Sequence, residues 1–255
     1  MRPVRVYDLP TRVFHWCFAA LFVAAYAVAN LVDDESSRFA WHMLAGAMLG
    51  VAVLVRLVWG VVGTRHARLS DLTLDPRQLA AYLKAVVAGG GRRWVGHNPA
   101  SSWAALSMMA LALALGASGV AMAAGSAPEW VEEAHELMAN AFLAIVLLHV
   151  AGLLAHGLRH RDALPLSMLS GRKRDLPAGT PDVPARGAMA LLVLALVAGS
   201  GVQLSGLYDP DNGTLDLFGT RLALGENQRE SPDDGEQGKT AGGRKDDDGR
   251  EEDED

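Results

Sequence analysis

Four histidines stand in or at the ends of long apolar stretches, where their imidazoles could bind a metal or carry a proton. They are His15, His42, His135 and His149. A polar, titratable ring is costly to place in hydrocarbon, so a histidine in such a stretch indicates a functional site. His135 and His149 are 14 residues apart, so on one helix both rings leave the same face, about 21 Å apart along the axis. A single helix could therefore present one ligand near each surface of a bilayer.

The apolar residues around these histidines are concentrated in five stretches. Half of the chain is hydrophobic, and each stretch can cross a hydrocarbon core of about 30 Å, which needs about 20 helical residues. Because a chain in lipid must satisfy its backbone hydrogen bonds internally, stretches this long and apolar are predicted to be helices. The predicted spans are residues 13–32, 41–62, 101–124, 137–158 and 188–207.

Basic residues lie mostly on one side of the predicted spans. Of the 17 Lys and Arg residues before Tyr208, 15 fall in the N-terminal segment and in the loops after the second and fourth spans. The opposite loops are acidic, at residues 33–35 and 129–136. The positive-inside rule makes the basic side cytoplasmic. The sequence therefore predicts a multi-pass protein of the bacterial inner membrane, with a cytoplasmic N-terminus and a periplasmic C-terminus.

This topology pairs the four histidines by depth. His15 and His149 fall near the cytoplasmic surface, whereas His42 and His135 fall near the periplasmic surface. Histidine is a standard axial ligand of haem iron, and the core of a helix bundle is a usual place for a cofactor. We therefore predict two b-type haems, with an inner pair His15/His149 and an outer pair His42/His135. The single cysteine, Cys17, rules out C-x-x-C-H attachment, so the haems are expected to be non-covalent.

Arg56 is the one fixed charge within the predicted spans. It lies 14 residues after His42, on the same helical face and at the depth of the inner haem. Its guanidinium could pair with a haem propionate, or it could extend to the inner interface as long charged side chains do. Gly46 and Gly50 lie on the same face and leave a smooth strip, which suits either a porphyrin or close helix packing.

The other histidines fit a ligand role less well. His66 and His97 fall in the basic loop, and His160 stands between two arginines. His156 competes with His149 as the inner ligand, because it follows seven residues later on a similar face. It lies about two turns closer to the cytoplasm, which makes it a shallow position for a haem ligand.

Short motifs surround these residues and together cover residues 4–175. They are VYDLPTRVFHW at 6–16, WH at 41–42 with Gly46, RLVWG at 56–60, GHNP at 96–99, HE at 135–136 and HV at 149–150. The motifs resemble the bacterial cytochrome b561 family, which includes the cytochrome b subunits of nickel–iron hydrogenases. The resemblance implies an all-α, integral membrane four-helix dihaem bundle over residues 1–175, ligated by the four histidines. Residues 176–207 then form a linker and a fifth transmembrane helix.

The resemblance also implies a function, which is electron transfer across the membrane through the two haems. It implies quinone as the membrane partner and, on the periplasmic side, a c-type cytochrome, a hydrogenase or another dehydrogenase. Lipid surrounds the helices, and no nucleic-acid partner is expected. The sequence leaves open whether the chain is the quinone-reactive subunit of an oxidoreductase complex.

Two other classes of function compete with electron transfer. A transporter of protons or solutes that uses a histidine relay is expected to have broken helices and charges near the midplane. The predicted spans contain no proline and, apart from Arg56, no fixed charge. A pure membrane anchor is the third class, in which the histidines are dispensable. Bound haem in purified membranes separates electron transfer from both.

The C-terminal part of the chain is strongly acidic. Residues 208–255 carry 16 acidic and 6 basic residues, and beyond about residue 225 their composition cannot bury a core. The sequence therefore predicts an acidic, largely disordered periplasmic tail. Its negative charge could attract a basic electron carrier towards the outer haem, or it could serve solubility alone.

Overall fold

Long helices dominate the computed structural model, which describes residues 2–90, 94–160, 166–174, 176–177, 179–217 and 219–224. Five helices are long and apolar enough to cross a membrane, which confirms the five predicted spans and the all-α class. The short helix α3 lies in the loop after the second span. The helices are α1 (Leu9–Leu31), α2 (Ala40–Val62), α3 (Pro76–Val87), α4 (Pro99–Ala123), α5 (Trp130–His160), α6 (Ser167–Ser170) and α7 (Gly187–Leu207).

The starts of the spanning helices follow local capping chemistry. Asp8 caps α1, where its carboxylate accepts a hydrogen bond from the backbone of Thr11 at 2.9 Å. Asn98 caps α4 in the same way, through the backbone of Ser101 at 2.8 Å. A proline stands in the first turn of each helix, where its missing N–H costs nothing. Helix α5 begins seven residues before the predicted span, because acidic side chains in its first turn suit the positive end of the helix dipole.

The spanning helices pack as two close pairs with a looser contact between them. Helix α1 packs on α2, α4 packs along α5, and α7 lies against α1 and α2. Helix α5 approaches α1 and α2 only sparsely along its backbone. Long side chains bridge this gap: the ring of Phe142 on α5 stacks on Phe22 of α1 at 4.0 Å and lies 5.7 Å from the ring of Phe18. The four histidines lie on the helices that border this gap: His15 on α1, His42 on α2, and His135 and His149 on α5.

Two strands close the inner end of the bundle, which is the end where α1 begins and α2 ends. Strand β1 (Val4–Arg5) pairs antiparallel with β2 (Arg172–Lys173). The carbonyl of Gly171 accepts hydrogen bonds from the backbones of Val6 and Tyr7 at 2.8 and 3.1 Å. These contacts hold the segment after α5 against the residues that precede α1.

A three-stranded antiparallel sheet covers the outer end, where α1 ends and α2 begins. It consists of β3 (Tyr208–Asp209), β4 (Thr214–Leu217) and β5 (Thr220–Ala223). Leu215 and Leu222 are buried against Ala40 and Leu44 of α2 and Ala123 of α4. Helix α7 therefore ends at the same end of the bundle as α2 begins and α4 ends.

This sheet adds structure that the sequence did not predict in the C-terminal part of the chain. Disorder was predicted beyond about residue 225, and the structure describes ordered residues at 208–217 and 219–224. Apolar and polar residues alternate in β4, and Leu215 of β4 pairs with Leu222 of β5, so both leucines share the face that the helix ends bury. The rest of the predicted tail, residues 225–255, lies outside the described residues.

Candidate cofactor sites between the helices

The structure brings His42 and His135 together at the outer end of the bundle. His42 lies in the first turn of α2 and His135 in the second turn of α5. Their ring centroids are 6.1 Å apart, with an angle of 67° between the ring planes. Both side chains are partly buried. These two residues are 93 positions apart in the sequence, so their approach depends on how α2 and α5 are arranged.

This separation fits two axial ligands of one metal ion. Imidazole nitrogens bind transition metals at about 2.0–2.1 Å, so two imidazoles on opposite sides of one ion have centroids roughly 6–6.5 Å apart. The observed 6.1 Å falls in that range. The residues of the outer pair therefore fit the haem iron that the sequence predicts there.

The hydrogen bonds of His42 and His135 involve Nδ1 of each ring and leave Nε2 available to bind a metal. The Nδ1 atom of His42 is 2.9 Å from the carbonyl oxygen of Ala25, and Nδ1 of His135 is 2.8 Å from the hydroxyl of Ser118. A carbonyl can only accept, so Nδ1 of His42 carries the proton and Nε2 keeps its lone pair. Histidines that bind metals usually have this kind of partner on the second nitrogen, which fixes the tautomer and the ring orientation.

The residues of the predicted inner pair lie on α1 and α5. His15 is in the second turn of α1, and His149 follows His135 by 14 residues on α5. The ring of His15 meets Trp16 edge-on at 5.4 Å. Both histidines are partly buried. The structure thus brings the rings of His42 and His135 together, and the pairing of His15 with His149 stays a prediction from their positions on the two helices.

An aromatic layer separates the two histidine levels. Phe142 is fully buried and lies seven residues from both His135 and His149 on α5. Its stacking on Phe22 fills the middle of the gap between α5 and α1. The two candidate sites are therefore distinct, one above this layer and one below it.

Open space lies beside several glycines of the bundle. A Cβ atom added to Gly46 or Gly50 of α2, or to Gly116 of α4, would meet no atom within 4 Å. Close packing of two helices through these glycines is therefore not observed among the described residues. The smooth strip after His42 remains available to a flat cofactor.

Arg56 is buried, with a side chain that the structure does not fully satisfy. Only 6% of the residue is exposed, and its Nη1 atom has no hydrogen-bond partner in the part of the chain that the structure describes. Its guanidinium carbon is 5.8 Å from the centroid of the Phe14 ring. A guanidinium that extends to the interface is exposed, which this one is not. A buried donor without an acceptor is costly, and an anionic group such as a propionate would satisfy it.

Two histidines of the basic loop, His66 and His97, lie in a cluster of polar and aromatic side chains at the inner end. His66 is buried and its Nδ1 is 2.8 Å from a carboxylate oxygen of Asp71. The ring of His97 packs edge-on against Tyr7 at 5.6 Å. Burial, with the positive charges of Lys173 and Arg56 nearby, lowers the pKa of His97 to about 4. The GHNP motif at 96–99 is the feature of the sequence that could have indicated this cluster. Its glycine is needed for close packing, because a Cβ atom on Gly96 would lie 2.7 Å from Nδ1 of His66.

Comparison with known proteins gives matches over most of the bundle. The family model described as prokaryotic cytochrome b561 matches residues 6–171. A probable Ni/Fe-hydrogenase B-type cytochrome subunit of Bradyrhizobium diazoefficiens is 25% identical, over 67% of this chain and 86% of its own length. The corresponding protein of Rhodobacter capsulatus is 23% identical, over 67% and 81%. A probable Ni/Fe-hydrogenase 1 B-type cytochrome subunit of Escherichia coli K12 is 26% identical, over 37% and 49%. No solved structure matches.

Proposed function

The chain belongs to the prokaryotic cytochrome b561 family of multi-pass electron-transfer proteins, and we propose that it carries electrons across the bacterial inner membrane. The proposed route connects the quinone pool with a redox partner on the periplasmic side through two non-covalent b haems. The observation that carries the proposal is the outer pair, in which two imidazoles lie at the separation that one shared metal ion requires.

Each proposed site is assigned to residues of this chain. His42 and His135 hold the outer haem, and His15 and His149 hold the inner haem. Arg56 binds a propionate, which gives its buried Nη1 the acceptor that none of the described residues supplies. Bound haem b supplies a one-electron carrier at each level. The protein binds and orients the two haems. The buried aromatic rings between the two haem levels exclude water from the middle of the bundle.

The proposed periplasmic partner is a hydrogenase, because the relatives are named as hydrogenase cytochrome subunits. A c-type cytochrome or another dehydrogenase is the alternative that the sequence suggests. Continuity of the helices argues against a histidine-relay transporter, which needs broken helices. In the described residues, proline occurs within helices α1, α3 and α4, in each case in the first turn.

Reduction by quinol is the experiment that tests this function. The purified protein is oxidised in lipid vesicles, and a short-chain quinol is added while the haem absorbance is followed. We expect the absorbance of reduced b haem to develop with quinol, up to the level that dithionite then gives. Haem that responds to dithionite but not to quinol contradicts the quinone part of the proposal. Protein without haem contradicts the proposal as a whole.

The proposed topology predicts on which side of the membrane two segments of the chain lie. Reporter fusions after residue 90, on the side of the basic loop, and after residue 224, beyond the outer-end sheet, are expected to report opposite sides of the membrane. The physical reason is the positive-inside rule, together with the crossing of α7 from the inner to the outer end. We expect the fusion after residue 90 to report the cytoplasm. The reverse assignment, or the same compartment for both fusions, contradicts the proposed orientation.

A further inference from the structure

The hydroxyl group of Ser118 on α4 stands at the centre of three polar contacts. Its Oγ atom is 2.9 Å from the carbonyl oxygen of Ala114 and 3.1 Å from that of Leu115, one turn earlier on the same helix. It is also 2.8 Å from Nδ1 of His135 on α5. The shortest of the three contacts is therefore the one that joins the two helices.

Counting protons assigns a direction to each contact. A serine hydroxyl has one proton to donate and two lone pairs that accept. The carbonyl oxygens of the preceding turn can only accept, so the hydroxyl proton goes to them. A lone pair of Ser118 then accepts the proton on Nδ1 of His135. This tautomer leaves the lone pair of His135 on Nε2, which is the nitrogen that a metal needs.

The next residue on α4, Gly119, leaves room beside the same ring. A Cβ atom added to it would lie 3.7 Å from Cε1 of His135. Among the contacts of α4 with His135, the hydrogen bond to Ser118 is therefore the one that can orient the imidazole. His42 differs, because its Nδ1 partner is the backbone carbonyl of Ala25. Of the two hydrogen bonds at the outer pair, the one to Ser118 is the one that a side-chain substitution removes.

We propose that Ser118 is a positioning residue for His135 and that its hydroxyl lowers the redox potential of the outer haem. The inference rests on the proposed function, since it takes His135 to be an axial ligand. An acceptor on Nδ1–H makes the imidazole a more basic ligand. A more basic ligand stabilises the oxidised metal more than the reduced metal, and the potential falls.

The test is a redox titration of the purified, haem-loaded protein, with haem content measured on the same samples. Ser118→Ala removes the acceptor, and Ser118→Thr retains a hydroxyl at the same position. Ser200→Ala is the matched control, because Ser200 on α7 donates to its own helix, to the carbonyl of Val197 at 2.8 Å. We expect S118A to raise the potential of one of the two haems, by roughly a threefold change in the reduced-to-oxidised ratio, which is about 28 mV at 59 mV per tenfold. S118T and S200A should match the unmodified protein.

The outcomes separate this inference from the proposed function. Two haems in S118A with unchanged potentials overturn the role of Ser118 and leave the proposed function intact. An equal shift in S118T also overturns it, because the hydroxyl is then not the cause. Loss of one haem in S118A but not in S118T supports the inference, since the hydroxyl then holds His135 in place. An absence of haem from the unmodified protein contradicts the proposed function itself.

Discussion

Replacing His135 by Ala is expected to abolish low-spin coordination at the outer haem and to leave the inner haem unchanged. His135 and His42 lie at the separation that two ligands of one iron require, so a single remaining imidazole cannot fill both axial positions. We expect haem content to fall by about half, or one haem to become high-spin. A pyridine haemochrome assay measures the content, and optical and electron paramagnetic resonance spectra measure the spin state.

The pairing itself is tested by comparing four variants. H42A and H135A should retain the same low-spin signal, that of the inner haem, because each breaks the ligand pair of the outer haem. H15A and H149A should retain the low-spin signal of the outer haem, since each breaks the inner pair. A spectrum shared by H42A and H149A contradicts pairing by depth.

His156→Ala provides the matched control on α5. It removes another partly buried histidine from the same helix, seven residues after His149. We expect this variant to retain both haems. Loss of the inner haem in H156A, with retention in H149A, would identify His156 as the inner ligand instead.

Replacing Asp8 by Ala should cause a large loss of stability. Asp8 is 1% exposed, and its carboxylate accepts hydrogen bonds from the backbone of Thr11, the indole of Trp59 and the hydroxyl of Thr64, at 2.9, 3.1 and 2.7 Å. The substitution leaves three donors without this acceptor in a buried site. Hydrogen bonds to charged groups contribute about 1.5–3 kcal/mol each and are not additive, so we expect a loss on the order of 3–5 kcal/mol.

Asp75 is the matched control, because it is also an aspartate that caps a helix. It is exposed, and its carboxylate accepts from the backbone of Arg77 at 2.8 Å. Loss of such a cap costs about 1 kcal/mol. Thermal unfolding in detergent should therefore give a much lower Tm for D8A than for D75A. Equal Tm values for the two variants would show that the stability of the protein does not depend on the buried hydrogen bonds of Asp8.

The positions of the helices and histidines along the membrane normal could be predicted from the sequence alone, because the surrounding lipid restricts the local structure. Lipid forces each apolar stretch into a continuous helix, and a helix rises a constant 1.5 Å per residue. Residue number then converts directly into depth, which is how His15 could be matched with His149 and His42 with His135. The five spans follow from the same rule.

The contacts across the membrane plane could not be predicted in this way. The burial of Arg56, the partners of Asp8 and the bond from His135 to Ser118 depend on which helix faces meet, and hydrophobicity does not specify those faces in lipid. The contacts at the inner end join residues as far apart in sequence as Tyr7 and His97.

The sequence by itself thus determined the helices, the relative order of their ends and the level of each histidine along its helix, because lipid permits one local structure and one rise per residue. Only the tertiary structure decided which nitrogen of His42 and His135 is free to bind a metal, that Nη1 of Arg56 has no acceptor among the described residues, and that residues 208–217 and 219–224 include a three-stranded sheet. Each of these depends on distances of a few ångströms between segments that are remote in sequence. Such distances are set by the packing of side chains from several helices at once.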